Sequence, residues 1–338
     1  MKKRVALIYG GEGAERDISK SSAENLYSKI DKNKYDVLSI EILENGNWKA
    51  VTEDGKYIDT YPVMLCGTSG FLLNGKIRQT DCAIPCLHGD FGEDGVVQGA
   101  LTLAHIKYVG QDVYASAMTS DKAYSKLAAA HLKIPTADWI ITDCEDFGKA
   151  KEKAEARLNY PMFIKPSRLG SSYGIAPVLS ETDFEKAYRH ARSFDKRILI
   201  EELVDFDYEV ECALFDGGER KISAGGRVLS GGRFYDFDSK YNRALSPHTE
   251  AESGAFPEIE KRISSYTEAL ADFIGIRHIS RFDFFVTHDK KIYFNEINAF
   301  PGMTATSLYP KLTEDMGFRP GEFINLIIES VCKNDRCV

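Results

Sequence analysis

Residues 281–298, Arg281-Phe-Asp283-Phe-Phe-Val-Thr-His-Asp-Lys-Lys-Ile-Tyr-Phe-Asn-Glu296-Ile-Asn298, constrain the chain more than any other stretch: two apolar runs flank a short polar turn. The pattern predicts a β-hairpin. Residues two apart on a strand share a face, so Arg281 and Asp283 point together, and so do Glu296 and Asn298 on the returning strand. Three oxygen ligands and a guanidinium then converge. Hard oxygen donors suit Mg²⁺, which takes one or two carboxylates and fills its shell with water and substrate phosphate. A half-buried hairpin with a structural ion pair would use the same residues. Taken alone, the hairpin leaves both readings open.

At 338 residues the chain exceeds one compact core of ordinary size, which predicts two or three domains. Its net charge of −8 disfavours non-specific binding to nucleic acid or to an anionic membrane, so an anionic ligand needs a local cluster of basic groups. The N-terminus, Met1-Lys-Lys-Arg-Val-Ala-Leu-Ile-Tyr, carries an apolar run too short for a signal-peptide core or a membrane span. It reads as a first strand. Cysteines at 66, 82, 86, 144, 212, 332 and 337 show no Cys-x-x-Cys pair and no histidine at zinc-ligand spacing. Free thiols and a cytoplasmic protein are expected.

Residues 4–9 form an apolar strand, followed by Gly10-Gly11-Glu12-Gly13 and a helical pattern over 18–30, the opening of an open α/β sheet. Strands at 35–42 and 81–87 and a helix at 95–105 extend this α/β domain to residue 117. A second unit, 118–207, is α+β, with helices at 121–131, 146–158 and 182–192 and strands at 138–142, 161–166, 174–179 and 197–202. The third, 208–338, holds the hairpin and a terminal helix at 321–332. Residues 230–258, rich in Gly, Ser, Pro and charge, are the least structured segment and read as a lid or a disordered loop.

Three further strings carry polar chemistry. Lys165-Pro-Ser-Arg-Leu-Gly170-Ser171-Ser172-Tyr-Gly174 ends a strand with a lysine and a small-residue turn whose N–H groups can surround phosphate, although a surface turn is equally consistent. Ile200-Glu201-Glu202-Leu203-Val204 offers a strand edge to a purine, with Glu209 able to take ribose hydroxyls; a solvated acidic turn is the plainer reading. His88-Gly-Asp-Phe-Gly-Glu93-Asp-Gly95 stands where an apolar strand ends, the usual place for an α/β site, and His88 could equally serve as a structural cap.

Taken in order, Gly10-Gly11 through Glu15, the His88–Gly95 string, Asp121-Lys122, Lys165 through Gly174, Lys240-Tyr241, Arg281-Phe-Asp283 and Asn295-Glu296-Ile-Asn298-Ala-Phe-Pro-Gly302-Met-Thr-Ala-Thr-Ser307-Leu308 resemble the D-alanine–D-alanine ligase family. The resemblance spans nearly the whole chain. It implies the ATP-grasp fold, with nucleotide between two α+β units behind an N-terminal open α/β domain, and it implies ATP-dependent joining of two D-alanine molecules through an acyl phosphate, for peptidoglycan precursors. Asp283, Glu296 and Asn298 would then hold two Mg²⁺ ions, for which Mn²⁺ could substitute, and Lys122, Lys165 and Lys240 would contact phosphates. Glu201, Leu203 and Val204 would border adenine and Glu209 the ribose, along a strip one residue longer than the usual pattern. Glu15 would bind the first ammonium, with Ser171 and Tyr241 linking that subsite to the lid and His88 beside it. Arg281 and the Gly302 N–H would stabilise the oxyanion, and Ser307 and Leu308 would receive the second amino acid. A homodimer is the family's usual state.

Two departures bear on the second substrate. The segment after Tyr241 does not match the family's usual loop, and Thr102 stands where many relatives carry an acid. Relatives that use D-serine or D-lactate commonly have arginine at the position of Leu308; leucine favours a methyl but rejects a hydroxyl only weakly. A catalytically silent nucleotide-binding regulator would have lost a metal ligand or a lysine, and none is lost. A dinucleotide oxidoreductase finds support only in Gly10-Gly11-Glu12-Gly13, which lacks the third glycine spacing.

Overall fold

The computed structural model describes residues 1–52, 55–62, 69–171, 173–229, 248–250 and 257–333. Lys240, Tyr241, Ser172, Cys66, Cys337 and most of the expected lid lie outside the described residues. Within the first region, β1 (Lys3–Gly10), α1 (Arg16–Lys29), β2 (Tyr35–Ile42), β3 (Trp48–Val51), β4 (Tyr57–Asp59), β5 (Gly70–Leu73), β6 (Lys76–Gln79), β7 (Cys82–Pro85) and α2 (Val96–Leu103) follow in order. The sheet runs β4-β3-β2-β1-β7, with β1 parallel to both β2 and β7. Helix α1 buries Ser19, Ser22, Ala23 and Leu26, the 3–4 residue spacing of one helical face. Strands β3 to β6 were not anticipated. β3 and β4 extend the sheet antiparallel from β2, and β5 and β6 form a separate two-stranded hairpin; at three or four residues each they are too short for alternation to register above background.

The parallel arrangement places the ends of β1 and β7 on one edge. Ser19 Oγ accepts from Gly10 N (2.8 Å) and donates to the Cys86 carbonyl (2.6 Å), joining the two strand ends through α1. Gly10 has φ +95°, and a Cβ there would meet the Ile42 carbonyl at 2.3 Å, so only glycine makes this turn.

The second region contributes α3 (Val113–Ser120), α4 (Lys122–His131), β8 (Trp139–Thr142), α5 (Phe147–Glu155), β9 (Met162–Pro166), β10 (Ala176–Val178), α6 (Phe184–Arg192) and β11 (Ile198–Glu202). Its sheet, β10-β9-β11-β8, is antiparallel throughout. The third adds β12 (Tyr208–Asp216), β13 (Arg220–Ile222), β14 (Gly226–Leu229), β15 (His248–Glu250), α7 (Pro257–Ile274), β16 (His278–Val286), β17 (Ile292–Asn298), α8 (Leu308–Asp315) and α9 (Glu322–Lys333). Here the order is β15-β14-β12-β16-β17, with β13 also on β12. The span 230–258 is therefore not wholly irregular: β15 pairs with β14, and α7 begins at Pro257.

Packing crosses the sequence order. Ala115, Ala128 and Ala129 of α3 and α4 share a core with Val210, Phe282 and Phe294 of the third sheet. Leu7, Leu26 and Ile84 of the first sheet and its helix share another with Phe215, Tyr309 and Ile327. Through the second of these cores the first sheet is held against the third.

Candidate active site

The hairpin forms as its period implies. Arg281 lies opposite Asn298 and Asp283 opposite Glu296 in the β16–β17 register. Arg281 donates through Nε and Nη2 to the two Asp283 oxygens, each at 2.7 Å, and Asn298 Nδ2 donates to Asp283 Oδ2 at 3.1 Å. Burial works against the guanidinium charge, but Asp283 and Glu211 outweigh it and raise the Arg281 pKa well above its usual value.

Two lysines face this hairpin from other elements. Lys122 opens α4, where Asp121 caps the helix by accepting from Ala123 N (2.9 Å). Asp121 also accepts from Ser167 Oγ (2.6 Å) and pairs with Arg197 at 2.9 Å, which ties the start of α4 to the end of β9. Lys122 Nζ consequently reaches Glu296 (3.2 Å) and the Leu169 carbonyl (2.7 Å). Lys165, on β9, is buried and sits 2.5 Å from Glu201 and 3.2 Å from Asn295 Oδ1. The other Glu201 oxygen is 3.0 Å from Lys126. Burial pushes Glu201 up, yet Lys126 and Lys165 together hold its carboxyl below the ordinary range. Burial likewise lowers the Lys165 ammonium, and Glu201 only partly restores it.

A cleft lies among these groups, lined by Lys122, Lys165, Glu201, Leu203, Val204, Glu209 and Glu296 with Phe163, Phe206 and Phe285. All the nucleotide residues expected from the sequence and described in the structure meet here. Its lining, charged groups beside aromatic and aliphatic ones, is that of a small-molecule site. Glu201 borders the cleft while its carboxylate serves the two lysines.

An adjoining cavity is lined by Glu15, His88, Glu93, Gly170, Ser171, Glu211, Arg281, Glu296, Asn298, Gly302, Ser307 and Leu308, among others. Glu15, at the N-terminus of α1, accepts from Ser171 Oγ. It is seated close to Gly89 and Gly170, where a Cβ would come within 2.6 Å and 3.2 Å of its Oε2. His88 is buried with Nε2 3.2 Å from Ser22 Oγ, and burial lowers its pKa to about 4, so the ring is neutral at pH 7. Glu93 accepts from Gly89 N (3.0 Å) and Phe300 N (3.2 Å), which joins the loop after β7 to the loop after β17. Burial, with Glu15 nearby, pushes Glu93 up to about 8. Ser307 Oγ accepts from Thr304 N at 3.1 Å, and a Cβ on Gly302 would meet that oxygen at 3.0 Å. Leu308 lines the cavity but is also part of the core, packed on Gly226.

Four participants received no role in the motif reading: Lys126 and Glu211 lie outside the quoted strings, and Asn295 and the tether Glu93 lie within them. Lys126 stands one helical turn from Lys122, and Glu211 two strand residues from Glu209, so periodicity would have placed each beside a residue already singled out.

The donor set also bears on a metal. Asp283, Glu296 and Asn298 present only oxygen and amide groups on adjacent strands, and turning the Asn298 amide over exchanges its donor for an acceptor. Among the described residues no three carboxylate, imidazole or thiol groups gather into a cage. An ion here would complete its shell from water and phosphate, as Mg²⁺ habitually does, so the residues fit it.

Two antiparallel sheets enclosing a lysine-lined cleft, behind a mixed sheet whose parallel strands β1 and β7 end at a second cavity, make this an ATP-grasp protein. Residues 4–111 match the family model for the D-ala D-ala ligase N-terminus and residues 128–329 that for the D-ala D-ala ligase C-terminus. The D-alanine–D-alanine ligase of Chloroherpeton thalassium is 35% identical, covering 97% of this chain and 96% of its own, and that of Acetivibrio thermocellus is 33% identical, covering 97% and 95%. Among solved structures, the VanG D-Ala:D-Ser ligase from Enterococcus faecalis superposes with a TM-score of 0.88 at 29% identity, covering 98% of this chain and all of its own. The D-alanyl-alanine synthetase A of Vibrio cholerae gives 0.87 at 31% identity, with 98% and 99% covered. The chain belongs to the D-alanine–D-alanine ligase family of ATP-dependent ligases.

Proposed function

We propose that this protein joins two D-alanine molecules at the expense of ATP, supplying a dipeptide for peptidoglycan precursors. The carboxylate of the first D-alanine takes the γ-phosphoryl group and releases ADP; the amine of the second, losing a proton, displaces phosphate from the acyl phosphate. One observation carries the reading: Glu296, Gly170 and Ser171 line both the nucleotide cleft and the amino-acid cavity, so phosphoryl donor and acceptor would meet at that shared wall.

Lys122 and Lys165 would exchange Glu296 and Glu201 for phosphate oxygens. Leu203 and Val204 would border adenine and Glu209 would accept from the ribose. Asp283, Glu296 and Asn298 would hold two Mg²⁺ ions, which neutralise phosphoryl charge when bound. In the second cavity Glu15 would take the first ammonium. Arg281 and the Gly302 N–H would donate to the tetrahedral oxyanion, where one well-placed donor is worth roughly 3–4 kcal/mol. Ser307 would receive the second carboxylate and Leu308 its methyl.

Phosphate release from ATP and Mg²⁺ with D-alanine, D-serine or D-lactate as second substrate tests the proposal. Release and dipeptide formation with D-alanine are expected; no release with D-alanine refutes it. The likeness to a D-Ala:D-Ser ligase favours a second reading, with D-serine as partner. Leu308 argues for D-alanine, because leucine offers the hydroxyl no donor. No described helix is long and apolar enough to cross a membrane; a cytoplasmic homodimer completes the proposal, checked by fractionation and sedimentation.

A further inference from the structure

Glu211 lies two residues past Glu209 on β12, so both project from one face of the strand, Glu209 into the nucleotide cleft and Glu211 into the amino-acid cavity. Asp283 is its register partner on β16, and Gly226, on which Leu308 packs, is its partner on β14. Glu211 Oε2 is 3.3 Å from Arg281 Nε, and the two side chains are only 11% and 15% exposed.

Arg281 uses Nε and Nη2 on Asp283. Among the described residues nothing hydrogen-bonds its Nη1, the nitrogen left to face a substrate oxygen. Asp283 is in turn fully engaged, by Arg281 on both oxygens and by Asn298. Drawing dications to Asp283 therefore takes negative charge away from the guanidinium and adds positive charge beside it. Glu211 is outside the metal set and within ion-pair distance of Arg281.

We propose that Glu211 is a positioning residue for the ligation, holding the Arg281 guanidinium in place while metal occupies Asp283, so that Nη1 stays directed at the oxyanion. The proposal rests on the functional reading above. It also explains why a largely buried acid is tolerated there: without the carboxylate, Arg281 and the metal would compete for Asp283 alone.

Glu211→Gln keeps the shape and removes the charge; Glu211→Asp keeps the charge. Three measurements test them: dipeptide formation, the KM for ATP, and calorimetric Mg²⁺ binding to protein loaded with a non-hydrolysable ATP analogue. Outer partners of metal sites are worth about 10–100-fold in affinity or activity, so Glu211→Gln is expected to slow dipeptide formation by that factor. Mg²⁺ binding should weaken about tenfold, while the KM for ATP stays within about twofold. Glu211→Asp should recover most of the loss. In an Arg281→Lys background the same change should cost no more than about threefold, because the guanidinium that Glu211 orients is already gone. Dipeptide formation by Glu211→Gln within about threefold of wild type, or unchanged Mg²⁺ binding, overturns the proposal. So does a full additional loss in the Arg281→Lys background. Wild-type protein that makes no dipeptide would instead sink the functional reading, and the Mg²⁺ titration would still decide the role of Glu211.

Discussion

Glu296→Gln is the most informative single substitution, because Glu296 stands at the wall common to both cavities. Glutamine keeps the volume and removes one charge. Lys122 loses a partner at 3.2 Å but keeps the Leu169 carbonyl at 2.7 Å, and the two side chains are 10% and 19% exposed. The cost in stability should accordingly be on the order of 1 kcal/mol, between the values for exposed and buried pairs. Catalysis should suffer far more. A unit charge about 4 Å from a developing charge is worth about 4 kcal/mol at an effective dielectric constant of about 20, or about a thousandfold in rate. The assay is phosphate release at saturating ATP and D-alanine, with Mg²⁺ raised until the rate no longer climbs. Thermal unfolding of the same samples should show a midpoint only a few degrees lower. Turnover within about tenfold of wild type, less than 2 kcal/mol on the barrier, would refute the assignment of Glu296 to the metal, and a collapsed melting temperature would make it a structural residue.

Glu15→Gln should raise the KM for the first D-alanine by about tenfold or more, the value of one charge-assisted contact, and leave the KM for ATP nearly unchanged; equal loss of both in steady-state kinetics would make Glu15 structural. In direct competition D-alanine should beat D-serine by about one to two orders of magnitude, about 1–3 kcal/mol, and Leu308→Arg should shrink that ratio. An unchanged ratio would move specificity away from Leu308, and the tight packing of Leu308 on Gly226 predicts a lower melting temperature for the same variant. Burial lowers His278 to about 4, against about 6.5 unfolded. Its neutral folded form therefore contributes stability that is present above pH 6.5 and lost as pH falls from there toward 4. The difference in unfolding free energy between wild type and His278→Asn should change by roughly 3 kcal/mol between pH 7 and pH 4 in urea titrations; a constant difference would mean that the folded ring titrates as it does in the unfolded chain.

Much of the site was legible from local pattern. The period of two along 281–298 predicted that Arg281 and Asp283 share a face, and the Nε and Nη2 bonds to Asp283 follow from it. The ordered strings named the lysines at the starts and ends of elements, and those described do meet in one cleft. Lys126 was missed because a lysine on a helix usually faces water, and only contact with β11 turns it into the second partner of Glu201. The segment 230–258 was read from composition alone, and composition carries no information about whether a free sheet edge is within reach; β14 supplies one for β15.

By itself, the sequence determined the alternation of strands and helices, the glycine turn after β1, the faces on which chemistry-bearing residues lie, and the family. The structural features are consequences of backbone sterics and of periods of two and 3.6 residues, which act over a few neighbours; the family came from the resemblance of the ordered strings. Tertiary structure alone decided that α3 and α4 pack on the third sheet, and that the first and third sheets share a core. It also decided that Glu93 ties residue 89 to residue 300, that Lys165 is held by Glu201, and that Glu211 meets Arg281. Those pairings join positions tens to hundreds of residues apart. No local period encodes them: they arise when apolar faces without intrinsic direction are buried against one another, and the buried charges must then find partners wherever that packing has brought them.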